Sequence, residues 1–208
     1  MKIALFGATG RVGYAILTLL LEKGIEVTVL VRNSEKLQIQ PGLTVLQGDA
    51  RSTIDVERTL EGVNAVISAL GTDKTSVLTE SITHIITVMQ KQRIKRIITI
   101  GTAGILDSRV EPGLLRYQSS ESKRKSSTAA QEHHRVYDLL NDSSLDWTII
   151  CPTYLPTGAS TDEYSILRDM LPVNAVQTTT GDTALFAVNE LLKNDHIGYR
   201  VGIMSPQF

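Results

Sequence analysis

The sequence predicts an α/β fold: a doubly wound parallel β-sheet of about seven strands with helices on both faces, in one domain over residues 1–208. Three observations predict it. Short apolar or β-branched runs alternate with segments of helical periodicity along the chain. The runs lack strict polar alternation, as expected of parallel strands covered on both faces. The first run also meets the first helical segment through a glycine-rich turn, Gly7-Ala8-Thr9-Gly10-Arg11-Val12-Gly13.

Ile3, Ala4, Leu5 and Phe6 form the first strand, and Val12, Ile16, Leu19 and Leu20 give the first helix its apolar face. Glu26 to Val31 is the second strand, Leu43 to Gln47 the third and Ala65 to Leu70 the fourth. Ser52 or Thr53 caps a short helix carrying Val56 and Leu60. Residues 76–92 place Leu78, Ile82, Ile85, Ile86 and Met89 on one helical face. Lys95 to Ile100 is the fifth strand, Ser126 to Leu140 a helix, and Asp146 to Cys151 the sixth strand. Asp182 to Lys193 is the last helix and Tyr199 to Met204 the seventh strand. Two stretches break this rhythm. Residues 107–127, with Pro112, Gly113, several serines and Lys123-Arg124-Lys125, read as a polar, partly mobile excursion whose basic triplet is a solvated loop. Residues 152–181 hold three prolines and one expected helical turn, Tyr164 to Leu171. Both follow strands on the side where such sheets bind ligands, which makes them substrate-side loops.

Composition narrows the function classes. With 42% apolar and 21% charged residues and a net charge of −1, nucleic acid or an anionic membrane is not expected as a partner. The single cysteine, Cys151, precludes an internal disulfide and reads as a buried thiol in a strand. No apolar run approaches the ~20 residues that span a bilayer. The apolar start breaks at Gly7, short of a signal-peptide core, so the expected location is the cytoplasm. The expected partner is a small molecule, with the chain a monomer or weak homodimer.

The glycine turn carries the chemistry. A strand, a glycine turn and a helix N-terminus let a pyrophosphate approach the backbone, where free N–H groups and the helix dipole hold its charge. An NAD site usually ends its second strand in an acid that takes the ribose 2′-OH; here that position is Arg32. A guanidinium there meets a 2′-phosphate, with Arg11 and Lys36 adding to the positive field, so the expected cofactor is NADP (NADPH). The alternative is a solvated surface arginine. In Gln47-Gly48-Asp49-Ala50, Asp49 either accepts from the adenine amino group beside Ala50 or serves as a turn residue. Leu70-Gly71 again permits close backbone approach.

GATGRVG, VTVLVRNSEKL, LQGDA, AVISALGT and LDWTIICPTYLP together resemble the atypical short-chain dehydrogenase/reductases of the NAD(P)-binding, NmrA-like group. Within it the chain is most similar to the NADPH-dependent flavin reductase/biliverdin-IXβ reductase family. The resemblance implies a Rossmann fold with cofactor contacts on Gly7, Thr9, Gly10, Arg11, Val12, Gly13, Arg32, Asp49, Leu70 and Gly71. It also implies an active-site hydroxyl on Thr102, in place of serine, a histidine on His133, and Tyr154 where the family has a second histidine.

No tyrosine here has a lysine four positions on; Tyr164 has Arg168 instead. Alcohol–ketone chemistry by a Tyr–Lys pair is therefore not expected. A flavin, quinone or linear tetrapyrrole fits better as hydride acceptor, because its conjugation spreads the incoming charge. Thr102, His133 and Tyr154 are the candidate catalytic residues, and Thr102 is also a candidate cofactor contact, its hydroxyl bonding either the nicotinamide carboxamide or the acceptor. Each also has a purely structural reading: strand-end hydroxyl, core histidine, packing aromatic. No metal-ligand spacing is present. The alternative function is a non-catalytic NADP(H)-sensing protein.

Overall fold

The computed structural model describes residues 1–72, 76–122 and 126–206. The basic triplet 123–125 therefore lies outside the described residues. Eight strands form one sheet: β1 (Lys2–Phe6), β2 (Glu26–Val31), β3 (Leu43–Gln47), β4 (Ala65–Ser68), β5 (Arg96–Ile100), β6 (Asp146–Pro152), β7 (Ser165–Arg168) and β8 (Tyr199–Met204). Their spatial order is β3-β2-β1-β4-β5-β6-β8-β7, and only β7 runs antiparallel to its neighbour. The strand order reverses between β1 and β4, in register as Phe6 beside Ser68, which opens a crevice beyond their C-terminal ends.

Five helices cover the sheet: α1 (Arg11–Glu22), α2 (Thr53–Thr59), α3 (Val77–Gln92), α4 (Thr128–Asn141) and α5 (Thr180–Lys193). Helices α1 and α5 pack one face, burying Ile16, Leu17 and Leu20 against Val188 and Leu191. The other face holds α2, α3 and α4 through Val56, Ile85, Met89, Val136 and Leu140. The alternating orientation of strand side chains divides the core accordingly, with Ile3 and Leu5 on the first side and Ala4 and Phe6 on the second.

The structure corrects the sequence reading in three places. Among the described residues the sheet has eight strands. The expected helical turn at Tyr164 to Leu171 is strand β7, paired with β8 as Ile166 beside Ile203. Tyr164, Leu167 and Leu171 do have helical spacing, but Tyr164 and Ile166 face the core while Ser165 and Leu167 face out, which is a strand's period. Residues 107–122 are also densely bonded. The Glu121 carboxylate accepts from the Ser108 hydroxyl at 2.6 Å and the Arg109 N–H at 2.8 Å, and it pairs with Arg116.

At the N-terminal end of β5, away from the crevice, a buried polar network ties sheet to helix. Arg96 meets Glu190 of α5 at 2.7 Å and donates to Asn194 Oδ1 and Thr148 Oγ1. Glu190 also meets His196 Nδ1 at 2.8 Å, which gives that histidine a structural role. Removing one partner of a buried pair leaves the other desolvated and uncompensated. Glu190→Leu is expected to lower stability by about 3–5 kcal/mol in urea unfolding. A loss under about 1 kcal/mol would mean that Arg96 is satisfied without Glu190.

Candidate functional site

The site begins where β1 ends. Gly7 has φ +80°, and a Cβ on it would lie 2.5 Å from the Ala69 carbonyl oxygen at the end of β4. Gly13 is tighter, since a Cβ there would come within 2.1 Å of the Gly7 carbonyl oxygen. The turn is closed by the Gly10 N–H donating to Gly7 at 2.9 Å. Gly10 caps α1 with no side-chain hydrogen bond, and Tyr14 makes the first intrahelical bond back to it. The first-turn N–H groups thus face outward without a side-chain cap, as an anion site requires.

A crevice opens over this turn. Gly7, Thr9, Gly10, Arg32, Asp49, Ala50, Leu70 and Gly71 all line it. A Cβ on Gly71 would meet nothing within 4 Å, so the space before it is open. The Ser81 hydroxyl, fully buried on α3, lines the same crevice and has no hydrogen-bond partner among the described residues. Glycines that no side chain can replace, uncapped amides and an orphaned hydroxyl are what a dinucleotide site needs.

Of the expected cofactor residues, Arg11, Val12, Gly13 and Thr102 do not line this crevice. Val12 is buried in the core against the sheet, and Gly13 is enclosed by the turn. Arg11 turns away from Arg32: its Nη1 donates to the Leu155 carbonyl at 2.8 Å, latching the glycine turn to the loop after β6. Lys36 lies on the surface in the 3-10 turn Ser34–Lys36. The expected cluster of Arg11, Arg32 and Lys36 is therefore not formed.

Arg51 takes that place. It lines the crevice with Arg32 and holds Asp49 in an ion pair at 2.7 Å. Hydrogen bonds from the Arg51 side chain and backbone, followed by its charge and that of Arg32, hold the Asp49 carboxyl down to about 2 against the opposing effect of burial. The Arg32 guanidinium makes no hydrogen bond or ion pair with another described residue. Arg51 was missed because it belongs to no periodic pattern; its place two residues after Asp49 was the available signal.

A second pocket lies beyond the ends of β5 and β6, lined by Thr102, Arg116, Tyr117, Ala130 and Thr153 among others. Thr102 caps the 3-10 turn Ala103–Ile105, accepting from the Gly104 N–H at 3.4 Å, so its hydroxyl has a structural bond as well as a place in the pocket. Arg200 braces this turn from below, donating to the Ile105 carbonyl and pairing with Asp107 and Asp169.

The structure does not bring the three candidate catalytic residues together. Tyr154 is 64% exposed, and its neighbour Thr153 is the one lining the pocket. His133 lies in a small separate cavity with Ser68, Leu70 and Thr99, where Leu70 alone also reaches the crevice. Burial pushes its imidazole down to about 4, against the opposing charge of Glu132. Cys151 is wholly buried in β6, and burial pushes its thiol up to about 12. Tyr164 and Arg168, the nearest approach to a Tyr–Lys pair, are used elsewhere: Tyr164 bonds Asn189, and Arg168 stacks on Tyr199.

The sequence profile of the NAD(P)H-binding family matches residues 7–195. Over 216 residues the chain is 28% identical to the uncharacterized protein YwnB of Bacillus subtilis strain 168, with 99% of each covered. Among solved structures it is similar to a provisionally assigned NADH-flavin reductase from Streptococcus pneumoniae TIGR4, at 25% identity and TM-score 0.86 over 99% of this chain and 100% of that one. It is also similar to a provisionally assigned epimerase from Bacteroides thetaiotaomicron, at 29% identity and TM-score 0.85 over 100% of this chain and 99% of that one.

His133 yields a pH prediction. Its ordinary value is 6.5 and its folded value is about 4, so between them the unfolded chain binds more protons than the folded one. Stability therefore falls as pH drops across that window, by on the order of 3 kcal/mol. In urea unfolding at a series of pH values, His133→Gln should lose this part of the slope. An identical slope in the variant would show that His133 is readily protonated in the folded protein.

Proposed function

The chain belongs to the NAD(P)H-binding family, of atypical short-chain dehydrogenase/reductase type, and from that premise we propose that it is an NADPH-dependent reductase of planar conjugated acceptors. A flavin, a quinone or a linear tetrapyrrole is the acceptor class. The observation that carries the cofactor choice is Arg32 at the end of β2, where an NAD site would place an acid. Its guanidinium makes no hydrogen bond or ion pair with another described residue, and Arg51 stands in the same crevice, paired with Asp49.

When bound, the coenzyme supplies a hydride. The residues of this chain supply binding and orientation. The uncapped amides of α1 hold the pyrophosphate, Arg32 and Arg51 the 2′-phosphate, and Leu70 and Gly71 flank the path toward the second pocket. Neutral His133, lying behind Leu70, is no ready source of protons. Without a Tyr–Lys pair, an acceptor that delocalises its incoming charge is favoured over a simple ketone.

Stopped-flow mixing with NADPH and a panel of FMN, FAD, menadione and biliverdin tests the reading. Acceptor-dependent loss of nicotinamide absorbance is expected with at least one of them. Tight binding of both redox forms without turnover would instead favour a cofactor sensor. Arg32→Glu is expected to weaken NADPH by roughly ten- to a hundredfold, the worth of a charge-assisted phosphate contact, and NADH far less. Equal losses in titrations with the two nucleotides would remove Arg32 from 2′-phosphate recognition.

A further inference from the structure

We propose that Tyr117, primed by His134, is the proton donor of the second pocket and that the acceptor it serves is a quinone or similar conjugated carbonyl compound. This rests on the reductase reading above. The observation behind it is a chain of three side chains leading from the pocket to water. Tyr117, in the 3-10 turn Arg116–Gln118, lines the pocket with Thr102 and Thr153, and its hydroxyl lies 2.9 Å from His134 Nδ1 on α4. His134 Nε2 lies 3.6 Å from Asp138 Oδ1, one helical turn on. The side chains of His134 and Asp138 are 28% and 58% exposed, so the chain ends in solvent.

The imidazole is held in place by its neighbours. Tyr117 meets it edge-on at 5.7 Å, Tyr137 stacks on it at 6.3 Å, and Tyr137 is itself packed against Trp147. The charged and titratable groups facing the pair, among the described residues, are Asp138, the Tyr137 phenol and the mutually compensating Arg116 and Glu121. Gln118 Nε2 donates to the Tyr117 oxygen at 3.3 Å. With His134 protonated, that oxygen accepts from both Gln118 and Nδ1–H, and its own hydrogen is left for the pocket.

The chemistry balances. A quinone that has accepted a hydride has both electrons it needs and lacks one proton. The Tyr117 O–H bond breaks as an O–H bond forms on the acceptor oxygen. The imidazolium then returns its Nδ1 proton to the phenolate oxygen, restoring Tyr117. The neutral imidazole that remains still carries its Nε2 hydrogen and takes a solvent proton on Nδ1 before the next turnover, its side chain being 28% exposed. A phenol alone, with a pKa near ~10, is a slow donor near neutrality; an adjacent imidazolium removes the cost of leaving a phenolate behind. The histidine takes the part that a lysine plays in a Tyr–Lys pair.

The test uses Tyr117→Phe and His134→Asn with NADPH and menadione. Tyr117→Phe is expected to lower kcat roughly a hundredfold with unchanged NADPH affinity, which also controls for folding. His134→Asn keeps a hydrogen bond to the phenol but carries no proton, so the fall of kcat toward alkaline pH should flatten. Without coenzyme, nitrogen-15 spectra of the imidazoles should show His134, and none of the other histidines, changing its titration in Tyr117→Phe. Wild-type kcat in Tyr117→Phe, or an unaltered pH profile in His134→Asn, would overturn the proposal while the reductase reading stands. Absence of turnover by the wild-type protein with every acceptor would sink both.

Discussion

At Gly7 the chain leaves β1 within van der Waals reach of the backbone at the end of β4, and the first turn of α1 then passes so close that Gly13 touches the Gly7 carbonyl. This stacking of backbone on backbone is the constraint on which the rest depends. It forces glycine at both positions and sets the start of α1 against the point where the strand order reverses. The uncapped amides of the first turn of α1 thereby stand at the crevice. The crevice and its two arginines take their places from this turn.

The two ends of the sheet are built differently. The end away from the crevice carries the Arg96–Glu190 network, where buried charge is consumed by structure. The ligand end carries excursions pinned at a few points. Asp182, buried in the first turn of α5, accepts from Ser160, Thr161 and Ser205 and so anchors the loop after β6. Those hydrogen bonds hold its carboxyl below the usual range even though burial acts the other way. Arg200 does the same for the turn after Thr102, and Arg11 joins the glycine turn to Leu155. The binding surfaces are thus set by local ties between loops and a rigid sheet.

Much of this was legible in the residues. Strand and helix positions followed from hydrophobic periodicity because parallel strands, covered on both faces, are nearly all apolar. Strand β7 was not legible: it is short, lies at the sheet edge, and its apolar residues satisfy helical and strand spacing at once. The crevice was largely legible, since a glycine turn and the residues ending β2, β3 and β4 must converge in this topology. Side-chain direction was not. Arg11 and Arg32 read alike as basic residues near a phosphate, yet one is drawn to a carbonyl beyond β6. The same limit separates His133 from His134, adjacent on α4 but about 100° apart around it, so that one lines a small cavity with Ser68, Leu70 and Thr99 and the other meets Tyr117. Only the packed structure tells them apart.

On the proposed function, the crevice over the glycine turn reads a dinucleotide through Arg32 and Arg51. Calorimetric titration of the wild-type protein with NADP+ and NAD+, side by side and at rising salt, tests it most directly. NADP+ is expected to bind roughly ten- to a hundredfold more tightly, with an advantage that shrinks as salt screens the phosphate contact. Equal affinities, or a preference for NAD+, would contradict it.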